Sequence, residues 1–266
     1  TLTLQSGDNT ALGNINFVNG SSLTTAGGNV AMYAGVNPVG NVPYATDTGK
    51  ANLGAITTNG GSLSVYAKGT LTAGGAIASN GGAVSLNAQD ALAVDGGITA
   101  GAGAVNLLAN QDGAGAQGFS QADATTIAGT GITVTVNTGA GTGTGGAVLS
   151  TLTDAGALAI STSNAATDAG GSITRTATGT LSGTSVALTT GTGDIGAAGT
   201  EINLAANQTG VVATTHGAGA IYLRDAGALT LGAITTAGGL VDIATTAAGT
   251  LTAGGAIASN GGAVSL

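Results

Sequence analysis

The chain holds one imidazole, His216, and no thiol, which narrows its nucleophile and metal chemistry from the outset. A Ser-His-Asp triad would have to be built on His216, whose setting, Thr214-Thr215-His216-Gly217, reads as a plain polar turn. Without Cys, neither disulfides nor thiolate metal sites are available. Carboxylates are the larger resource: eleven Asp and one Glu, Glu201. A glycosidase needs two of them on one face at a fixed separation. Asp90 and Asp95 are the closest pair, but they flank the Ala91-Leu92-Ala93-Val94 segment in its turns. Asp225 and Asp242 fall on successive repeat units without an evident shared face. Lys50, Lys68, Arg175 and Arg224 are scattered, which leaves a lyase without its basic partner. The Asp residues are expected to shape turns and keep the chain soluble. No catalytic residue, metal site or cofactor site is assigned, and the chain is expected not to be an enzyme.

Glycine-rich phosphate loops appear in form only. G-x-G-x-x-G occurs at Gly113–Gly118, Gly141–Gly146 and Gly191–Gly196, as chance allows with 51 Gly in 266 residues. None of the three opens a helix, as a dinucleotide site requires. T-x-T pairs at Thr70/Thr72, Thr133/Thr135, Thr174/Thr176 and Thr250/Thr252 suggest an ice-matching face, but the unit after Thr70/Thr72 carries Ala91 and Ala93 there. Aromatic residues point to binding instead. Tyr33 and Tyr66 follow Val30-Ala31-Met32 and Leu63-Ser64-Val65 at equivalent places, and Tyr222 lies between Ile221 and Leu223. All three should face outward. With Tyr44 and Phe119, which lie in stretches that break the repeat, they are candidate adhesive or lateral contacts, for a glycan or a neighbouring rod. Ordinary cross-strand packing is the competing role.

The elements that position these residues follow from repetition. GTLTAGGAIASNGGAVSL occurs at Gly69–Leu86 and, unchanged, at Gly249–Leu266; LGAITTNGG at Leu53–Gly61 returns as LGAITTAGG at Leu231–Gly239. Inside this long repeat lies a shorter one. Ile56, Ile77 and Ile98 are spaced by 21, as are Leu63, Val84 and Val105, and Val65, Leu86 and Leu107. Apolar residues alternate in Val84-Ser85-Leu86, Val105-Asn106-Leu107, Val186-Ala187-Leu188, Ile202-Asn203-Leu204 and Val241-Asp242-Ile243, the period of a strand. Gly pairs and Asn-Gly separate the strands and allow positive φ. Three short strands and three turns per unit make one coil of a right-handed parallel β-helix, an all-β solenoid of about 20–21 residues per coil. The Ile, Val and Leu sets stack inside as ladders, with Thr, Ser and Asn outside. Some eleven V-x-L strands predict about eleven coils, a rod of about 50 Å at roughly 4.8 Å per coil, with few or no helices. One continuous solenoid over 1–266 is expected, with insert loops near 35–50, 110–126 and 207–219.

Composition agrees and excludes alternatives. Only 6% of residues are charged and there is no Trp, against about 25% charged in ordinary domains. A mean hydropathy of +0.40 and strictly placed aliphatics argue against disorder. A net charge of −8 disfavours nucleic acid and anionic lipid. No run of about 18 apolar residues predicts a membrane span. No signal peptide is visible, and the second copy of the long repeat stops in mid-strand at Leu266. Both ends are therefore expected to be continued, by the same polypeptide or by another copy.

The V-x-L-x-A, Gly-rich turn and G-x-I-T grammar of Gly81–Ala88 with Gly97–Thr99 resembles the repeat regions of filamentous haemagglutinin-like exoproteins. These are large adhesins secreted by two-partner systems in Gram-negative bacteria. The resemblance implies secretion, surface exposure and a role in adhesion or biofilm, with surface glycans or cell-surface receptors as partners. Two functions follow as expectations: an adhesin stalk, or a self-assembling extracellular filament or sheath subunit stacked end to end.

Overall fold

The computed structural model describes residues 1–8, 13–18, 20–45, 47–139, 141–163, 169–246 and 248–266. Its chain winds as a right-handed parallel β-helix of about ten turns, with no helix among the described residues. Three parallel sheets run along it. The first has twelve strands, from Leu2–Ser6 to Leu251–Ala253 and Ile257–Ala258. The second has seven, from Ile15–Asn16 to Ile173–Arg175, and the third eleven, from Ser22–Thr24 to Val264–Ser265. A two-stranded antiparallel hairpin, Val36–Asn37 with Val42–Pro43, stands outside them.

The spacing of 21 becomes vertical stacking. Ile77 pairs with Ile56 below and Ile98 above; Val84 lies between Leu63 and Val105, and Leu86 between Val65 and Leu107. All nine side chains are buried. Like sits on like because each parallel strand repeats its neighbour's in-out alternation, so one aliphatic always meets another across the ladder. Elsewhere the coils are longer: 28 residues separate Leu2 from its partner Val30, and 27 separate Val105 from Ile132. The additional residues leave at one corner, after the first sheet. Buried amides replace the backbone pairing lost there. Asn110 Nδ2 donates to Asn137 Oδ1 at 2.6 Å, and Asn137 Nδ2 donates to the carbonyls of Gly145 and Thr162 at 2.8 and 2.7 Å.

At another corner a hydroxyl recurs. Ser79 Oγ donates to the carbonyl of Gly82, Ser259 Oγ to that of Gly262 at 2.6 Å, and Thr236 Oγ1 to that of Gly239 at 2.9 Å. Each of these turns crosses a glycine that touches the coil below. A Cβ on Gly82 would sit 2.0 Å from the carbonyl oxygen of Gly61.

Two expectations change. The stretch 110–126 rejoins the coil at Phe119–Gln121, and 207–219 contains the regular first-sheet strand Val211–Thr215, so neither is a loop throughout. Within the first of these the chain is away from the strands between Ala109 and Phe119, and it leaves the strands again after Val136 and after Ser161. The turns number about ten where roughly eleven were expected, and the V-x-L strands fall on two sheets: Ile202–Leu204 and Val241–Thr245 belong to the third.

The identical segments also lie on different sides of the rod. In Gly69–Leu86, Leu71 is on the second sheet, Ile77 on the third and Val84 on the first. In Gly249–Leu266, Leu251 and Ile257 both pair with the first-sheet strand Leu229–Thr235, and Val264 pairs with Val241 on the third. The shift happens where the second sheet thins to one bridging residue, Ile195, between Ile173 and Ile221. Beyond it Ile221–Asp225 joins the third sheet. A three-sided cross-section thereby gives way to a two-sided one, and the sequence pattern slips by about half a coil against the frame.

Candidate functional site

The outward residues of the first sheet form a column: Gln5, Tyr33, Tyr66, Asn87, Leu108, Thr135. Strand spacing sets the distance between neighbours, and two phenol rings in adjacent places stack. The Tyr33 and Tyr66 centroids are 5.3 Å apart with planes 3° from parallel. Burial, then the neighbouring Tyr33, push the Tyr66 hydroxyl above its usual range. Asn87 is held down on the sheet by donating to Val65 O at 3.2 Å and to Ser85 Oγ at 3.1 Å.

Beside this column the 36–43 hairpin leans over the corner. It is pinned at its base, where Gln5 Nε2 donates to the Tyr44 hydroxyl at 3.1 Å and Tyr44 N–H to Gly35 O at 3.0 Å. Lys68 Nζ donates to the carbonyls of Tyr44 and Ala45, the latter at 2.9 Å. Lys68, Gln89 and Gln111 occupy one corner position on three successive coils, their N–H groups donating to Ala34, Ala67 and Ala88. Between hairpin and corner lie two hollows that share Gln89. One, of about 90 Å³, is bordered by Val36, Asn41, Tyr66, Asn87 and Gln111; the other, of about 240 Å³, by Pro43, Lys68, Asp90 and Asp112. Burial, and then the Asp112 carboxylate, raise the pKa of Asp90, with Lys50 pulling it down. A larger groove of about 430 Å³, around Phe17, Asn52 and Gly74, has no ionisable side chain in its lining.

Of the five aromatic candidates, Tyr33, Tyr66 and Tyr44 gather here. Tyr222 is half-exposed on the third sheet, away from them. Phe119 is no surface contact: it is buried, stacked between Leu92 and Ala147, where a small neighbour makes room for the ring. Asn41, Asn87, Gln89 and Gln111 were not singled out from sequence. Their signal was a recurrence of Gln at 89 and 111 beside the Tyr66 column, visible only once the corner is known.

The remaining chemical residues build structure. Asp154 accepts from the N–H groups of Gly131 and Gly156, both at 2.7 Å, and of Ile132 at 2.5 Å. Buried Asp225 accepts from Asn207, Gln208 and Gly227. Arg224 reaches Asp242 at 3.0 Å and Glu201 at 3.4 Å, an ion cluster across coils. His216 is exposed in its turn, with Nδ1 3.1 Å from Ser163 Oγ. The T-x-T array is interrupted as expected, Thr72 lying beside Ala93. Among the described residues no group of three or more His, Cys, Asp or Glu could hold a metal ion, and no helix is long and apolar enough to cross a membrane. Comparison with protein-family models, with curated proteins and with solved structures found no match.

Proposed function

We propose that the chain is a rigid spacer, the stalk of a large secreted bacterial adhesin that serves surface attachment or biofilm. The observation that carries this reading is the third-sheet column Leu23, Ile56, Ile77, Ile98, Ile127, Leu152, Leu181, unbroken from coil to coil. A parallel ladder of this kind resists bending because every coil is hydrogen-bonded to two others, and the cost of extension is one more coil of small residues. The exterior suits a secreted surface: hydroxyls, amides and a modest acidic excess that opposes adhesion between like rods. Its partners are its own continuation or other copies at the two ends, and cell-surface receptors or glycans along its flank.

Electron microscopy of the purified chain tests this. Isolated rods about 50 Å long, ten coils at about 4.8 Å each, support the stalk. Fibres with an axial repeat favour the self-assembling filament, which the unchanged recurrence of Gly69–Leu86 also suits. Globular particles overturn both. Protease accessibility on intact producing cells tests the extracellular placement.

A further inference from the structure

We infer that the cleft between the 36–43 hairpin and the corner beneath it is a binding site for a neutral oligosaccharide. This rests on the adhesive reading above and deepens it by naming the ligand class and its place, and it stands or falls separately from rod length.

The argument rests on what each wall offers. Tyr66 has one ring face covered by Tyr33 and still borders the smaller hollow. A half-exposed phenol ring held rigidly by stacking presents a large apolar area with little left to order on binding, the surface that the C–H face of a pyranose ring covers. Asn41, Gln89 and Gln111, each carrying a side-chain amide, line the same hollow. A primary amide both donates and accepts, as sugar hydroxyls do, so one such group satisfies a hydroxyl in either sense. Asp90 and Asp112, on the adjoining wall, only accept when ionised, and a carboxylate takes two neighbouring hydroxyl donors at once.

Charge selects among sugars. Three carboxylates line the cleft with one cation, Lys68: Asp47 accepts from Gly13 N–H, Asp90 and Asp112 are left to a ligand, and the Lys68 ammonium is already spent on the hairpin carbonyls. A sulfated or uronic chain would meet repulsion there, whereas a neutral one would not. The cleft is also preorganised. Tyr44, Lys68 and Gln5 fix the hairpin to the rod, so closing over a ligand requires no large movement. The hollows are shallow and share Gln89, which fits the edge of an extended glycan better than an engulfed monosaccharide.

The test is titration of the full chain with neutral hexasaccharides (β-1,4-glucan, α-1,4-glucan, β-1,4-N-acetylglucosamine and mannan), with a heparin hexasaccharide as the charged counterpart. Calorimetry gives affinity, and saturation-transfer NMR identifies the ligand protons in contact. At least one neutral hexasaccharide should bind and be weakened about tenfold by Tyr66→Ala and by Gln111→Ala, with Tyr222→Ala unchanged. Gln111 is half-exposed at a corner, where loss of its amide leaves the stacked strands in place, and circular dichroism checks that the variant keeps the fold. No binding of any neutral hexasaccharide, binding indifferent to both variants, or binding of the heparin fragment alone would overturn the inference.

Discussion

Asp154, Asp225 and Asp47 each aim a buried carboxylate at N–H groups that the winding of the coil leaves without a strand partner. Three donors on one carboxylate, as at Asp154 and Asp225, make a strong restraint on a turn, because an unmet buried N–H is costly. Asp154→Asn puts an NH₂ group where one of those donors points, and should lower unfolding free energy by about 1–3 kcal/mol, read from urea denaturation. Asp123 does similar work at the surface, bridging two coils. The hydroxyls of Thr176 and Thr178, with the Thr178 N–H, hold its pKa down at about 2. A depressed carboxyl stabilises the fold above its unfolded pKa of about 3.9, and that contribution fades as pH falls from there toward 2. Thr178→Ala should bring the Asp123 titration back up toward about 3.9, as followed by carboxyl NMR. Sequence suggested that Asp served turns; it could not say which, because the N–H groups served by Asp225 lie 17 or 18 residues away as well as two.

At the scale of the element, a strand here is worth what lies above and below it. Ile77 is buried between Ile56 and Ile98, so Ile77→Ala opens a void that its neighbours cannot close without leaving register. The expected loss is about 2–5 kcal/mol, against about 0.5–1.5 kcal/mol for Ile77→Val, both measured as shifts of a denaturant midpoint. Corners obey a different constraint. Gly82→Ala brings a methyl against the Gly61 carbonyl, a backbone atom with nowhere to go, and should destabilise by about 1–3 kcal/mol. Gly-Gly in the sequence marked these turns as places of positive φ. That holds for Gly81, at φ +118, whereas Gly82 is required by contact with the coil below. The strands were legible from alternation because an inward and an outward side chain differ in kind. The departures from the strands after Val136 and after Ser161 were not, since Gly, Ala and Thr fill both corners and loops. Phe119 misled for a related reason: a bulky residue amid glycines looked like a loop residue, yet its column provides space in Ala147.

For the whole molecule, one coil is a removable unit. Excising 84–104 would set Val105 and Leu107 on Leu63 and Val65, the places Val84 and Leu86 now fill. This deletion should leave the β signature in circular dichroism intact and shorten the rod by about 4.8 Å. Removing 84–93 instead brings turn residues onto strands and should cost cooperative unfolding altogether. Sequence spacing exposed the stacking in the 51–109 region, where successive coils share one length. It did not expose the slip near Ile195, because unlike strands pair there: the V-V-A-T-T strand Val211–Thr215 pairs with the L-T-L-G-A-I-T strand Leu229–Thr235 at the cost of one irregularity in register.

That slip has a geometric outcome. From Leu63–Ala67 to Leu251–Ala253 the first sheet is crossed eight times, yet the motif that began on the far side has arrived on the near one, after an odd number of half-windings. Any polymer that reiterated this unit would carry its markings as a stem carries alternate leaves, left then right, at intervals of roughly 36 Å for seven and a half strand spacings. A ligand patch encoded once per unit would then be offered to two opposing surfaces, and a single fibre could tie one to the other.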